Sequence, residues 1–359
     1  MLFKLGPKTR REDFYNFDSE LNKIINDIMD PTTRLIAVKG LRRTGKSSLV
    51  RVAVNQTRYP FAIIDLREFA QITPTEFVSS LNEILLRSYE RLSKRYKIPI
   101  DLERISVFGV SFTKRERKIY RQILREINDV AMRKKTRFIL IIDEAQEAVR
   151  FGFDRYLAFV YDNLEGILTI VTGSQAGVFE NMLENSESPL FGRAYSEITM
   201  RRLKKEEAME FLRLGFEELS IKVEQSLIEQ IVDELDGIIG WLSYYGWQFY
   251  KTKNHKKALQ KARRGAILIA KKEIENFLQT RGIGRRQYLL VLKALSTEPM
   301  RWSDIKRYLE IKMKREIPNN QVTKYIKTLL DYGFIIKERN KYKIPDPITK
   351  KAVREITTS

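Results

Sequence analysis

The residues best suited to chemistry stand in one glycine-rich stretch, Gly40–Ser47, with the sequence GLRRTGKS. Glycines let the backbone curl so that successive N–H groups point at phosphate oxygens, and a helix that follows adds its positive end. In this pattern Lys46 reaches the β- and γ-phosphates, and the hydroxyl of Ser47 ligates Mg²⁺. The predicted nucleotide contacts in this loop are Gly40, Leu41, Arg42, Arg43, Thr44, Gly45, Lys46, Ser47 and Ser48.

Two adjacent carboxylates supply the second half of a phosphate site. Asp143 and Glu144 directly follow the unbroken apolar run Phe138–Ile142. Asp143 is predicted to hold Mg²⁺ through its water shell, and Glu144 to accept a proton from the attacking water. A water-activating base favours a hydrolase over a small-molecule kinase. The chain has no guanine-reading N-K-x-D motif, so ATP or ADP is the expected nucleotide.

Two later residues are candidates for catalytic support. Thr172-Gly173-Ser174 follows the apolar run Ile167–Val171, and a hydroxyl there can hydrogen-bond the attacking water or the γ-phosphate. Ser174 is favoured for this role and Thr172 is the alternative. Arg193 is predicted to stabilise transition-state charge on the γ-phosphate, with a structural ion pair as the alternative. The sequence leaves open whether Arg193 acts in its own site or in that of a neighbour.

Short apolar runs alternate with helical patterns through the first two hundred residues. This alternation is typical of an α/β fold, a parallel sheet flanked by helices. The predicted strands include Leu35–Val38, Phe61–Asp65, Phe138–Ile142 and Ile167–Val171. A short hairpin is expected around Gly109, and from Lys204 to Tyr250 the pattern is helical throughout.

Together these motifs resemble the archaeal ATPase family, a branch of the AAA+/STAND P-loop ATPases with a C-terminal winged helix. The resemblance is based on GLRRTGKSSL, FILIIDEAQ, TGS, SPLFGRA, GWL and the pair Asp346-Pro347. It implies a five-stranded sheet, a helical lid over the nucleotide, ATP or ADP as ligand, and the roles given above to the site residues. The expected domains are an ATPase domain at 1–202, a lid at 203–280 and a winged helix at 281–359.

The chain departs from the family pattern near the expected adenine site. Where the family has an arginine in F-x-x-R-E-x-E-L, this chain has Phe17, and where the lid has proline, this chain has Ile239. Adenine is therefore expected to rest on aromatic surface, which its ring tolerates. Tyr15, Phe17 and Ile239 complete the predicted nucleotide contacts.

The positive charge of the chain is concentrated in its last third. The whole sequence has a formal net charge of +20, of which residues 251–359 hold +18. From about Arg285 three short helical patterns precede a basic hairpin, which is typical of a winged helix whose third helix reads DNA. The nucleic-acid candidates are Asn319, Gln321, Thr323, Lys324, Lys327, Arg339 and Lys341. Docking to a protein partner, self-association or contact within the chain is the alternative use of this domain.

Composition excludes several other classes of protein. The chain has no cysteine and one histidine, His255, so disulfides, zinc ribbons, iron–sulfur clusters and thiol catalysis are excluded. The first residues lack the apolar core of an export signal, and no apolar run approaches the roughly 18 residues of a membrane span. A cytoplasmic protein without a membrane partner is expected.

The predicted function is that of a Mg²⁺-dependent, ATP-hydrolysing molecular switch. In this hypothesis the lid relays the nucleotide state to the basic winged helix, which binds duplex DNA. The alternative is a winged-helix nucleic-acid-binding regulator that holds ADP or ATP structurally and hardly hydrolyses it.

Overall fold

The computed structural model describes residues 1–69, 72–98 and 116–357, and the expected hairpin around Gly109 lies outside them. The strands are β1 (Leu35–Gly40), β2 (Phe61–Asp65), β3 (Phe138–Asp143), β4 (Ile167–Gly173), β5 (Ser196–Met200), β6 (Ile336–Glu338) and β7 (Lys341–Lys343). The helices of the first half are α1 (Asp18–Met29), α2 (Lys46–Thr57), α3 (Pro74–Tyr96), α4 (Glu116–Arg133), α5 (Asp154–Asn163) and α6 (Ala176–Glu184). The later helices are α7 (Lys205–Glu217), α8 (Gln225–Leu235), α9 (Ile239–Thr252), α10 (His255–Gln279), α11 (Arg285–Thr297), α12 (Trp302–Met313), α13 (Asn319–Asp331) and α14 (Pro347–Glu355).

Strands β1 to β5 form one parallel sheet in the order β2-β3-β4-β1-β5. Every residue of β3 and β4 is buried, because helices cover both faces of the sheet. The four strands predicted from apolar runs are confirmed. The fifth strand, which only the family resemblance implied, is an edge strand whose residues alternate between exposed or half-buried and buried side chains.

Helices α7 to α9, which we call the lid, follow the sheet and are joined to the start of the chain. The ring of Phe3 is buried against Gly215 of α7 and Gly246 of α9. A Cβ atom at either glycine would lie within 2.2 Å of a Phe3 ring carbon, so only glycine admits the ring there. The first residues of the chain are thereby held on the lid.

Helices α11 to α13 and the antiparallel pair β6-β7 form the expected winged helix, and α14 packs against α10 and α11. This winged helix contacts the carboxyl edge of the large sheet directly. A Cβ on Gly177 of α6 would lie 2.4 Å from Oδ1 of Asp331, and one on Gly333 would lie 3.0 Å from the carbonyl oxygen of Ser174. Among the described helices, none is both long and apolar enough to cross a membrane.

Candidate nucleotide site

The glycine-rich loop connects β1 to α2 at the carboxyl edge of the sheet. Gly45 immediately precedes α2 with a φ of 100°, a left-handed conformation that glycine adopts without strain. Gly40 packs so closely on β5 that a Cβ would lie 2.2 Å from the carbonyl oxygen of Met200. The two glycines therefore set the curl of the loop and the start of the helix.

Lys46 is folded back into this loop. Its Nζ donates to the carbonyl oxygens of Gly40 at 3.0 Å and Leu41 at 2.9 Å, and the residue is only 5% exposed. Burial lowers the pKa of Lys46 to about 8, although the charges of Glu144 and Asp143 oppose that shift. A buried ammonium group with only neutral carbonyl oxygens as hydrogen-bond partners is suited to an incoming anion.

Asp143, at the end of β3, lies across from the start of α2. Its carboxylate accepts hydrogen bonds from the hydroxyl of Ser47 at 2.8 Å, from the hydroxyl of Thr172, and from the guanidinium of Arg67 at 3.2 Å. A hydroxyl and a carboxylate at this distance fit Mg²⁺, which binds proteins through one or two carboxylates and substrate phosphates. Within the described residues no group of three or more His, Cys, Asp or Glu forms an all-protein metal cage.

Glu144 turns away from β3 in a left-handed conformation, with φ of 55°. The hydroxyl of Ser174 and the side-chain amide of Gln146 both donate to its Oε2 at 2.6 Å, which leaves Oε1 to accept from another group. Burial raises the pKa of Glu144, but the charge of Lys46 and these two hydrogen bonds outweigh it, so the pKa lies below its usual value. Ser174 thus orients the predicted base in this structure.

Lys46, Ser47 and Glu144 line one cavity of about 280 Å³ between the glycine-rich loop and the lid. Its wall includes the loop from Arg43 to Ser48, Arg67, Glu144, and the predicted adenine contacts Tyr15, Phe17 and Ile239. Gly40, Leu41 and Arg42 do not reach this wall. Of the predicted loop contacts, Gly40 and Leu41 instead hold Lys46, and Arg42 faces the winged helix.

A family model described as an ATPase domain predominantly from Archaea matches residues 14–244, a span that contains every site residue described so far. The chain belongs to this archaeal ATPase family. A model of the C-terminal winged helix-turn-helix domain of MCM proteins matches residues 283–345.

Solved structures agree with this family. The Walker-type ATPase PABY2304 of Pyrococcus abyssi is 32% identical, with a TM-score of 0.83, and the match covers 99% of this chain and 100% of that one. The ORC2 protein of Aeropyrum pernix, in ADPNP and ADP complexes, is 13% identical with a TM-score of 0.60 over 98% and 97% of the two chains, and shows the fold alone.

A curated relative is named an uncharacterized HTH-type transcriptional regulator of Methanocaldococcus jannaschii. It is 25% identical over 240 residues, 61% of this chain and 58% of that protein. This chain therefore spans less than two thirds of the relative that it matches.

In this member of the archaeal ATPase family, the two loop arginines point toward the C-terminal half of the chain. Arg43 stacks on Trp241 at 4.1 Å, and both Arg42 and Arg43 pair with Glu273 of α10. Arg42 also lies 5.9 Å from the ring of Phe334 in the winged helix. The double arginine therefore ties the phosphate loop to α10 and the winged helix.

Arg193 is not part of the cavity, which corrects the prediction that it approaches the γ-phosphate of its own site. Its guanidinium pairs with Asp162 and donates to the carbonyl oxygen of Pro189. Arg193 precedes β5, and Ser196, the first residue of β5, pairs with Ile36 near the start of β1. Since parallel strands run in one direction, Arg193 lies at the edge opposite the phosphate loop.

Sequence reasoning missed three contributors to the site. Arg67 follows β2, so its place at the carboxyl edge was available from the Asp65-Leu66-Arg67 sequence. Gln146 lies in the motif FILIIDEAQ, but the sequence predicted no role for it. The segment Lys4–Lys8 lines the cavity, and the backbone N–H of Lys8 donates to the hydroxyl of Ser48 at 3.0 Å. No sequence pattern marked this segment.

The seven nucleic-acid candidates are all exposed on the winged helix. Asn319, Gln321, Thr323, Lys324 and Lys327 lie on α13, and Arg339 and Lys341 lie at the β6-β7 turn. The side chain of Asn319 accepts a hydrogen bond from Lys306 at 2.8 Å. The C-terminal end of α13 packs on α6 through Asp331, and the candidate side chains on the first two turns are exposed.

Proposed function

We propose that this chain is a Mg²⁺-dependent ATPase that works as a molecular switch, with the basic winged helix as its nucleic-acid-binding output. The proposal depends on one observation: Lys46, the Ser47 hydroxyl that bonds Asp143, and Glu144 all line a single cavity between sheet and lid. The first supplies a cation for phosphate, the second suits Mg²⁺, and the third is a carboxylate for a water molecule.

Each residue has a distinct task in this proposal. Lys46 exchanges its bonds to loop carbonyls for bonds to phosphate oxygens. Ser47 and Asp143 hold Mg²⁺, which when bound neutralises charge on the phosphates. Glu144 accepts the proton of the attacking water at Oε1, while Ser174 and Gln146 fix the orientation of its carboxylate through Oε2.

The route from nucleotide to output is short. Ser174 bonds Glu144 through its hydroxyl, and its carbonyl oxygen lies against Gly333 at the end of α13. Arg42 and Arg43 add a second link through Glu273. A nucleotide shifts the winged helix only if it binds two arrangements of the protein with different affinity. In this proposal the contacts through Ser174, Arg42 and Arg43 give rise to that difference in affinity.

A second candidate function is a nucleic-acid-binding regulator that holds ADP or ATP with negligible hydrolysis. The lowered pKa of Glu144 favours it, because a carboxylate held in its ionised form by neighbours is a weaker base. The name of the Methanocaldococcus relative, an HTH-type transcriptional regulator, points in the same direction.

Glu144→Gln tests the proposal, because it keeps the size of the side chain and removes the base. We expect phosphate release from ATP to fall by about 100-fold or more, with ADP affinity little changed. Glu165→Gln is the matched control, since Glu165 is exposed at the opposite edge of the sheet. Malachite-green assays with and without duplex DNA give the rates, and calorimetry gives the affinity.

The outcomes separate the two candidates. If Glu144→Gln hydrolyses ATP at the wild-type rate, Glu144 is not the base. If the wild-type chain binds ADP but releases no phosphate, with or without duplex, the regulator hypothesis replaces the ATPase hypothesis.

A further inference from the structure

Helix α10 carries positive charge that neither the nucleotide site nor the winged helix uses. Residues 251–280 contain nine Lys or Arg and two Glu, so +7 of the +18 in the C-terminal third precedes the winged helix. Seven of these basic residues fall between Lys256 and Lys272, and no acidic residue interrupts them.

Four of the seven basic residues between Lys256 and Lys272 share one side of the helix. Lys257, Lys261, Arg264 and Lys272 are spaced at helical intervals, with the exposed Leu268 completing the series. At 1.5 Å per residue, the series spans roughly 22 Å along the helix. All four basic side chains are exposed, so the series forms a cationic surface that only Leu268 interrupts, and we call it the α10 face.

The charges of this stretch are almost uncompensated. Within the described parts of the chain, Arg263 is the one basic residue of 256–272 with a carboxylate oxygen within 4.0 Å, that of Glu234 at 3.9 Å. Like charges three or four residues apart on a helix repel one another. The arrangement therefore costs stability in the isolated chain, and an anionic partner would relieve that cost.

A groove lies beside the α10 face, but most of the face stands outside it. A groove of about 1070 Å³ between α8 and α10 has apolar lining from Leu227, Leu259 and Ile267, but its walls also include Glu234 and Glu355. The walls also include Lys256, Arg263 and Lys271, so the groove is of mixed charge. Arg264 and Leu268 border the groove, whereas Lys257, Lys261 and Lys272 do not line it and remain free for a partner on the outer surface of the helix.

We propose that the α10 face binds the phosphodiester backbone of duplex DNA as a second contact, outside the winged helix. A convex, exposed row of cations suits a strand of phosphates, and contacts to phosphate carry no sequence information. The inference rests on the proposed function in one respect, that the chain binds duplex DNA. It assigns to α10 the sequence-independent part of that binding.

The test uses the full chain with Lys257→Gln, Lys261→Gln and Arg264→Gln combined. The control is a triple variant on α3, Arg91→Gln with Lys94→Gln and Arg95→Gln. These residues are exposed, so the three substitutions remove the same amount of positive charge from another part of the surface. Fluorescence anisotropy with a mixed-sequence duplex of about 30 base pairs, between about 50 and 300 mM salt, gives affinity and its salt dependence. ADP affinity and thermal melting show that every variant is folded.

We expect the α10 variant to bind duplex about tenfold more weakly near 0.1 M salt, with a slope of log affinity against log salt shallower by about 2–3. Lys257→Arg with Lys261→Arg should restore wild-type binding, because charge is kept. If the α10 variant binds duplex as tightly as the control variant, while Lys324→Gln weakens duplex binding, this inference alone is wrong. A wild-type chain that binds no duplex overturns this inference and the nucleic-acid part of the proposed function, with the ATPase part still measurable.

A poly-glutamate peptide serves as the probe for the protein alternative. If the α10 variant loses that peptide but keeps duplex binding, the face is an acidic-protein site and the inference is wrong.

Discussion

The phosphate loop and the C-terminal basic surfaces both present cations, but they hold them in opposite ways. Lys46 is 5% exposed and bonded to its own loop, whereas Lys257, Lys261 and Lys324 stand in solvent. Burying an ammonium group costs free energy, and an anion at hydrogen-bonding distance offsets that cost. The loop therefore depends on one particular residue, while the exposed surfaces depend on the sum of their charges.

The two predictions for Lys46 carry the largest effects in this comparison, and the first is a pH dependence of ADP binding. The pKa of Lys46 is about 8 in the free protein, so above that pH the side chain is mostly neutral and must take up a proton to hold phosphate. ADP affinity, measured by calorimetry without Mg²⁺, should fall by about 10- to 30-fold from about pH 7.5 to 9.5.

Lys46→Ala is the variant that sharpens this result. It should bind ADP roughly 10- to 100-fold more weakly at pH 7.5, the loss expected for a charged hydrogen bond, and show no further fall with pH. Lys39→Ala, which removes a cation from the strand that precedes the loop, should keep the wild-type pH profile. A wild-type profile that is flat to pH 9.5 would mean that Lys46 stays charged in the free protein.

A smaller effect is expected at Arg67, which combines features of the buried Lys46 and of the exposed surface cations. Its side chain is 56% exposed, yet it lines the cavity and binds both Asp65 and Asp143. Arg67→Ala should lower kcat by about tenfold, because a cation near the developing phosphate charge is lost, with ADP affinity reduced less. Glu68→Gln, one exposed residue along, is the control, and unchanged kcat in Arg67→Ala would show that the arginine only pairs with the two aspartates.

The fold was largely predictable because buried strands have a strong sequence signal. Phe138–Ile142 and Ile167–Val171 are uninterrupted apolar runs, and both became buried strands. Strand β5 has polar residues at alternate positions, so its composition resembles that of a loop. An edge strand with one exposed side lacks the signal that identified the others.

The site was predictable to the extent that its residues belong to a contiguous motif or end an apolar strand. Lys46, Ser47, Asp143 and Glu144 meet these conditions, and the structure brings them together. Arg193 was expected near the γ-phosphate, but it precedes an edge strand that the apolar pattern did not identify, so the sequence did not show which edge of the sheet it occupies. Arg67 was missed because a single arginine after a strand has no motif to mark it.

The smallest expected effect tests the exposed side of the comparison. Lys324 is exposed on α13. If it contacts one phosphate, Lys324→Gln should weaken duplex binding only a few-fold, equally for every duplex sequence. The slope of log affinity against log salt should become shallower by about 1. Lys134→Gln, an exposed lysine at the end of α4, is the control, and anisotropy with two unrelated duplexes is the measurement. A loss of about 100-fold, or a loss for one sequence alone, would show that Lys324 behaves like a buried, specific contact, and the contrast with Lys46 would then fail.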